Sequence, residues 1–425
     1  MLSTLRNAWK VPDLRKKFFW TIILIAIFRM GTHIPVAGID SSFLKQQVSQ
    51  SGLLGFYDLI SGGAFSNFSI LALGVMPYIN ASIIMQLLTI GIPSLEQIQK
   101  EGEEGRKKIQ QWTRYLAIVI AITLSYGVVA SLSQKGGTNG MTTPQYLIVL
   151  LSLIVGSTFC IWLGDQITVK GFGNGTSILI FVNIISRLPL TVARVFQLKQ
   201  AGTVTIVELA LFCVGAAVLL ISAIYFSLAE RRIPVQYAGK AVGNRVMRGQ
   251  STHIPFSIIG AAVIAIIFAM SVMGFPEAVA NFFPNADWAQ WILTSDYSIF
   301  NKNTWMYPVV YAVLTIFFTW FYNEVTLKPD EIAENLNKSA GFVPGIRPGE
   351  QTTRYFERIV AKISIVGGIY AAILAVIPIL VDSYTDFANI SFGATAILII
   401  IGVALDFSKR LESQMVMRHY EGFLK

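Results

Sequence analysis

The side chains that do most protein chemistry are few in this chain, and they are scattered. Cys160 and Cys213 both lie inside apolar runs, without CxxC spacing or a neighbouring ligand cluster, and read as small buried side chains. His33, His253 and His419 lack metal-ligand spacing. No catalytic dyad, nucleophile motif or phosphate-cradling loop emerges, so the chain does not read as an enzyme, and no metal or cofactor is expected. A coupled transporter keeps ionisable groups near the bilayer midplane, where they are costly and retained only for work. Here Asp165, Glu230 and Asp406 fall at the ends of apolar runs, and Glu208 at the start of one. Lys362 lies one turn into a run, and Arg29 with His33 in the second half of the first. All three suit side chains that snorkel to an interface. Nothing resembles a proton relay.

Basic loops with defined turn chemistry stand out instead. "AERRIPVQYAGKAVGNRVMRGQSTHIP" (229–255) alternates β-type residues with glycine turns and carries Arg231, Arg232, Lys240 and Arg245. "NKSAGFVPGIRPGEQTTRYFERI" (337–359) sets Arg347 between Pro344-Gly345 and Pro348-Gly349, where stiff backbone holds the guanidinium outward, and continues to Arg354. Loops that only set topology need neither this length nor these turns, so a docking surface for a cytosolic partner is expected. A third stretch, "GFYDLISGGAFSNFSILALGVMPYINASIIMQLL" (55–88), is apolar yet too long for one straight span. Its first part holds Asp58 and is broken at Gly62-Gly63. A clean helix is expected only from about Ser69.

Membrane helices must position these residues. The chain has 425 residues, 54% hydrophobic and 13% charged, against roughly a quarter charged in soluble domains. Runs of about 20 apolar residues, enough to span a bilayer, recur throughout. Ten spans are predicted, at 18–36, 69–91, 115–133, 146–164, 176–193, 206–227, 256–274, 307–327, 359–381 and 387–405. Span 176–193 is weakened by Arg187 and Pro189 near its end. The basic start at 1–17 reads as the flank of a retained first helix rather than a cleaved signal. With the N-terminus inside, inner segments hold 25 of the 33 lysines and arginines, which predicts cytoplasmic termini. Five spans on each side of the 194–205 loop give opposite orientations, the parity of an inverted-topology repeat.

"GVMPYINASIIMQLL", "KEGEEGRKKI", "GFGNGTS", "ERRIPVQYA" and "FVPGIRPGEQT" resemble, in order, the signature segments of the SecY family, the channel-forming subunits of the Sec protein translocase. The resemblance extends over essentially the whole chain. It implies an all-α fold of ten transmembrane helices in two inverted pseudo-symmetric halves, 1–200 and 201–425, with a short plug half-helix. It implies passage of unfolded preproteins across a bacterial cytoplasmic membrane, and lateral release of apolar helices into lipid. It also implies as partners SecE- and SecG-type small membrane subunits, the SecA motor, the ribosome and signal sequences, with no specific nucleic-acid site. The plug would comprise Gly55, Phe56, Tyr57, Asp58, Leu59, Ile60, Ser61, Gly62, Gly63, Ala64 and Phe65. A pore ring would comprise Ile79, Ile83, Ile180, Ile267 and Ile399, since branched apolar side chains resist wetting and flex around a passing chain. Motor or ribosome docking would fall to Arg231, Arg232, Lys240, Arg245, Arg347 and Arg354. Family members usually open their seventh span with a lysine, an asparagine and a later proline. Ser257, Ile259 and Ala265 stand there in this chain, so a more apolar helix without that kink is expected.

Overall fold

The computed structural model describes residues 11–36, 58, 60–134, 142–237, 241–242, 245–246, 251–260, 262–282, 286–301, 304–385 and 394–423. The first half holds α1 (Pro12–Gly31), α2 (Met76–Gly91), α3 (Pro93–Lys100), α4 (Glu103–Gln134), α5 (Thr143–Lys170) and α6 (Gly175–Gln200). The second holds α7 (Ile206–Leu228), β1 (Glu230–Tyr237), β2 (Ala241–Val242), β3 (Arg245–Val246), β4 (Ser251–Ser257), α8 (Ala262–Phe282) and α9 (Asp287–Thr294). It continues with α10 (Met306–Leu327), α11 (Pro329–Lys338), β5 (Gly341–Phe342), α12 (Glu350–Tyr384) and α13 (Ala394–Phe423).

Local sequence sets the helix starts. Proline occupies the first turn of α1, α2, α3 and α11, where its missing N–H would have no intrahelical partner. Thr142 with Gln145 and Thr205 with Glu208 form reciprocal capping boxes at α5 and α7. Asn174 of "GFGNGTS" accepts from the Ser177 N–H at 3.3 Å and starts α6.

Among the described residues, ten helices coincide with the ten expected spans: α1, α2, α4, α5, α6, α7, α8, α10, α12 and α13. Six are long and apolar enough to cross a bilayer by themselves, or seven with α2 and α3, which meet at a 102° bend, taken together. In α8 and α13 the apolar stretch is shorter, Ala262–Glu277 and Ala396–Ser408.

Two boundaries differ from expectation. The second span is helical from Met76, not Ser69, because the backbone before it is engaged elsewhere. The Ile70 N–H donates to the Ile34 carbonyl at 3.0 Å and the Val36 N–H to the Phe68 carbonyl at 2.9 Å. The seventh helix starts at Ala262, since the whole of Ser251–Ser257 pairs with β1, from Glu230↔Ser257 to Gln236↔Ser251. Ser257 therefore ends a strand, while Ile259 and Ala265 are buried in the core of the second half. Pro276 lies farther along, inside α8.

Packing follows the halves. In the first, α2 packs on α4, α4 on α5, and α5 on both α1 and α6; in the second, α10 packs on α8 and α12, and α13 on α7, α8 and α12. The halves meet where α13 packs on α6 and α8 on α4. Small residues allow the closest approaches, as lipid gives helices no hydrophobic reason to associate. A Cβ at Gly175 would collide with the Gly164 carbonyl. Among the described residues, the regular structure outside the helices is a small set of strands. Antiparallel β4-β1-β5 buries Ile233, Val235 and Phe256 against Ala333 and Leu336 of α11 and Phe356 and Val360 of α12. The 229–255 and 337–359 loops thus share one small core.

Candidate functional site

Ile83, Ile180, Ile267 and Ile399 are buried in a single apolar cluster, and Ile79 is half-buried against it. They come from four helices, α2, α6, α8 and α13, drawn from both halves. Ile79 and Ile83 are four apart and share a face of α2. The same cluster takes in Ile60, Leu71 and Val75 from the segment preceding α2, and Leu24 and Phe28 from α1. The apolar centre of the molecule is therefore continuous with the segment expected to plug it.

Of that segment, Gly55, Phe56, Tyr57 and Leu59 lie outside the described residues. Asp58, Ile60 and Ser61 are helical, and turns run on to Val75. The Gly63 N–H donates to the Asp58 carbonyl at 3.0 Å, and the Ser69 N–H to the Ala64 carbonyl at 2.9 Å. Phe65 and Phe68 pack with Val36, Val129 of α4 and Leu153 of α5.

The polar side of the segment faces α1 and α6. Arg187 Nη2 donates to Asp58 Oδ2 in an ion pair with side chains only 16% and 10% exposed, and to Ser66 Oγ at 3.0 Å. Asp58 Oδ1 accepts from the Ser66 N–H at 2.7 Å. Buried Asn183 donates through Nδ2 to the Ile60 carbonyl at 2.7 Å. Arg29 Nη1 reaches the Gly62 carbonyl at 3.3 Å and Asn183 Oδ1 at 3.4 Å. Arg29 is thus engaged inside the protein rather than snorkelling. Arg29, Asn183, Arg187 and Ser66 were not among the expected site residues. The signal lay in the charge count, because Arg29 and Arg187 sit inside predicted spans near the ends expected to face outward, where basic residues are scarce. Asn183 and Arg187 are four apart and share a face of α6. Ile180, three residues before Asn183, lies on that face too.

On the other side, Arg231 and Arg232 are exposed on β1, and Arg347 is exposed in the turn between β5 and α12. Gly345 (φ 83°) and Gly349 (φ 99°) hold left-handed conformations on either side of it. Thr352 Oγ1 donates to the Arg347 carbonyl at 2.9 Å. Arg354 is occupied by Glu350 one turn away at 2.7 Å. Lys240 lies outside the described residues, and only the backbone of Arg245, in β3, is described. Two acids of α11 are paired locally, Glu331 with Lys328 at 2.8 Å and Glu334 with Lys338. Lys338, 2.7 Å from Glu334, holds that carboxyl below the usual range by hydrogen bond and charge. Among the described residues no group of histidine, cysteine or acidic side chains could hold a metal ion.

Arg114 of α4 pairs with Asp165 of α5 at 3.0 Å, an ion pair that ties two neighbouring spans together.

The SecY family profile matches residues 69–408. The protein translocase subunit SecY of Halalkalibacterium halodurans is 39% identical over 441 residues, with all of both chains covered. The solved structure of a protein-conducting channel superposes with a TM-score of 0.67 at 16% identity, covering 97% of each chain. A second structure, of a SecY protein whose plug domain stabilises the closed state of the translocation channel and maintains a membrane seal, gives 0.66 at 16% identity and the same coverage.

Proposed function

This chain belongs to the SecY family of protein translocase subunits and forms a protein-conducting channel, in which we propose that Ile79, Ile83, Ile180, Ile267 and Ile399 are the waist. Residues 55–65, seen from Asp58 onward, are the plug that closes the outer side. The observation carrying this reading is the gathering of five isoleucines from four helices of both halves into one cluster, with plug residue Ile60 joined to it. A ring shared between two bodies widens when they part. Its apolar side chains exclude water when no substrate is present. Nothing covalent is made or broken, so an external motor supplies the work.

The two halves, 1–200 and 201–425, act as these bodies in inverted orientation. They sit in a bacterial cytoplasmic membrane with both termini inside, beside SecE- and SecG-type subunits, and release apolar helices between the halves into lipid. The sheet built by the 229–255 and 337–359 loops, with Arg231, Arg232 and Arg347 exposed, docks the SecA motor or a ribosome.

Bilayer recording tests the ring. In a channel deleted for residues 57–66, combining Ile83→Asn with Ile399→Asn is expected to raise ion conductance several-fold, because polar side chains favour a wet waist. Conductance equal to that of the deletion alone overturns the ring assignment. Isoleucines that serve only as packing would cost stability without adding conductance.

A further inference from the structure

We propose that Asp58, Arg187, Asn183 and Arg29 form a polar latch that holds the plug in its seat, and that channel opening requires this latch to break. The inference rests on the plug reading and adds to it the residues that set the balance between closed and open. Apolar contact alone would leave a plug free to slide, since it is non-directional. The contacts here are directional and reach across the fold. One guanidinium joins Asp58 to Ser66, eight residues along the plug, and thereby closes the plug's own turn. Asn183 and Arg29 hold the carbonyls of Ile60 and Gly62, flanking the same turn. Withdrawing the plug would separate a half-buried ion pair, and each ion left without its partner in such a site is strongly unfavourable.

The latch also explains the paired glycines. A Cβ at Gly62 would lie 2.6 Å from Asn183 Oδ1 and 2.8 Å from Arg29 Nη1. A Cβ at Gly63 would lie 2.6 Å from Arg187 Nη2 and 2.8 Å from its Cζ. Both residues also hold left-handed φ, at 66° and 92°. Only a residue without a side chain turns the plug there and admits a guanidinium against its backbone. Release is nonetheless built in. Arg187 pairs with the plug carboxylate while the neighbouring Arg29 bonds to neutral groups, the Gly62 carbonyl and Asn183 Oδ1, and the buried Arg187 Nε has no hydrogen-bond partner. Placement couples the latch to the waist as well. Ile180 and Arg187 lie on one face of α6, seven residues and about 10 Å apart along its axis. A movement of α6 that widens the ring therefore carries the latch with it.

The test uses the full-length channel in planar bilayers, with resting openings as readout. Asp58→Asn and Arg187→Gln each leave one charge of the pair uncompensated, and each should raise resting openings about tenfold. Asp58→Arg combined with Arg187→Asp restores opposite charges and should return openings towards the parental rate. Gly63→Ala displaces Arg187 without altering any charge and should behave like Arg187→Gln, which guards against misfolding of a single charge variant. Parental openings in both single charge variants and in Gly63→Ala would overturn the latch. A swap that leaks as much as either single variant would overturn the ion pair as its basis. Deletion of residues 58–66 separates the two readings. If the deletion conducts while the point variants stay silent, the plug stands and the latch falls; if the deletion is silent, both fall.

Discussion

Arginines on the two sides of this molecule do opposite things. Around the Gly62-Gly63 turn, Arg29 and Arg187 are half-buried and aimed inward, bonded to Gly62, Asn183, Asp58 and Ser66. Away from it, Arg231, Arg232 and Arg347 stand exposed on a sheet and a turn. Residue type does not separate the two groups, but what surrounds them does. The buried pair reaches a carboxylate, a hydroxyl, a side-chain amide and one backbone carbonyl inside the protein, where an unmet charge is costly. The exposed group stands on a strand and a glycine-flanked turn, where an unmet charge is cheap and remains available to another molecule. A charge turned inward is committed to the fold's own contacts, and one turned outward stays available.

Reversing an outward charge should do the most damage. If Arg347 docks an acidic motor as proposed, Arg347→Glu sets like charge against it, which costs several kcal/mol, so motor binding should fall about a hundredfold. Expression and membrane insertion should be unaffected. Binding of the motor to inverted vesicles measures it, and unchanged binding would remove Arg347 from the docking surface.

A conservative change of an inward charge should come next. Arg187→Lys keeps the charge but loses the planar group that lies against Gly63 and bonds Asp58 and Ser66 together. Resting conductance should rise several-fold, whereas Arg347→Lys should leave it unchanged. If both lysine variants behave alike, the contrast between the two arginine populations does not hold. Salt sharpens the same point. Going from 0.05 to about 0.5 M salt shortens the screening length and weakens exposed charges far more than buried ones. Motor binding should therefore fall while the resting conductance ratio of Asp58→Asn to parent stays constant.

The smallest effect belongs to exposed pairs such as Arg354 with Glu350. Glu350→Gln removes an i,i+4 pair worth about 0.3–0.5 kcal/mol, so neither thermal stability nor translocation should move measurably. A clear loss of translocation would give Glu350 a place in docking that its geometry does not suggest.

Much of this was legible without coordinates, for physical reasons that can be named. Apolar runs of bilayer length determine helices, and the asymmetric lysine and arginine count determines an expected orientation. "VMPYINASI" carries Pro77, and "GFGNGTS" carries the Asn174 cap, so two helix starts are written in the chain. The alternation of Ile233 and Val235 announced a strand. The break at Gly62-Gly63 announced a segment that could not be a straight span. Each is a local property, set by a few neighbouring residues and their solvent.

Tertiary structure decided what depends on residues far apart. Asp58 and Arg187 are 129 positions apart, and Asn183 stands 123 from Ile60. Taken alone, Arg29 is indistinguishable from a snorkelling side chain. Only the folded chain brings a carboxylate, two guanidiniums and an amide around one turn. The five isoleucines are likewise ordinary membrane residues until four helices converge on them. The register of β1 with β4, which moved the start of the seventh helix to Ala262, was also beyond a span count. Helix formation depends on local sequence and solvent, whereas a latch or a ring depends on which faces meet, and a one-dimensional pattern does not encode that meeting.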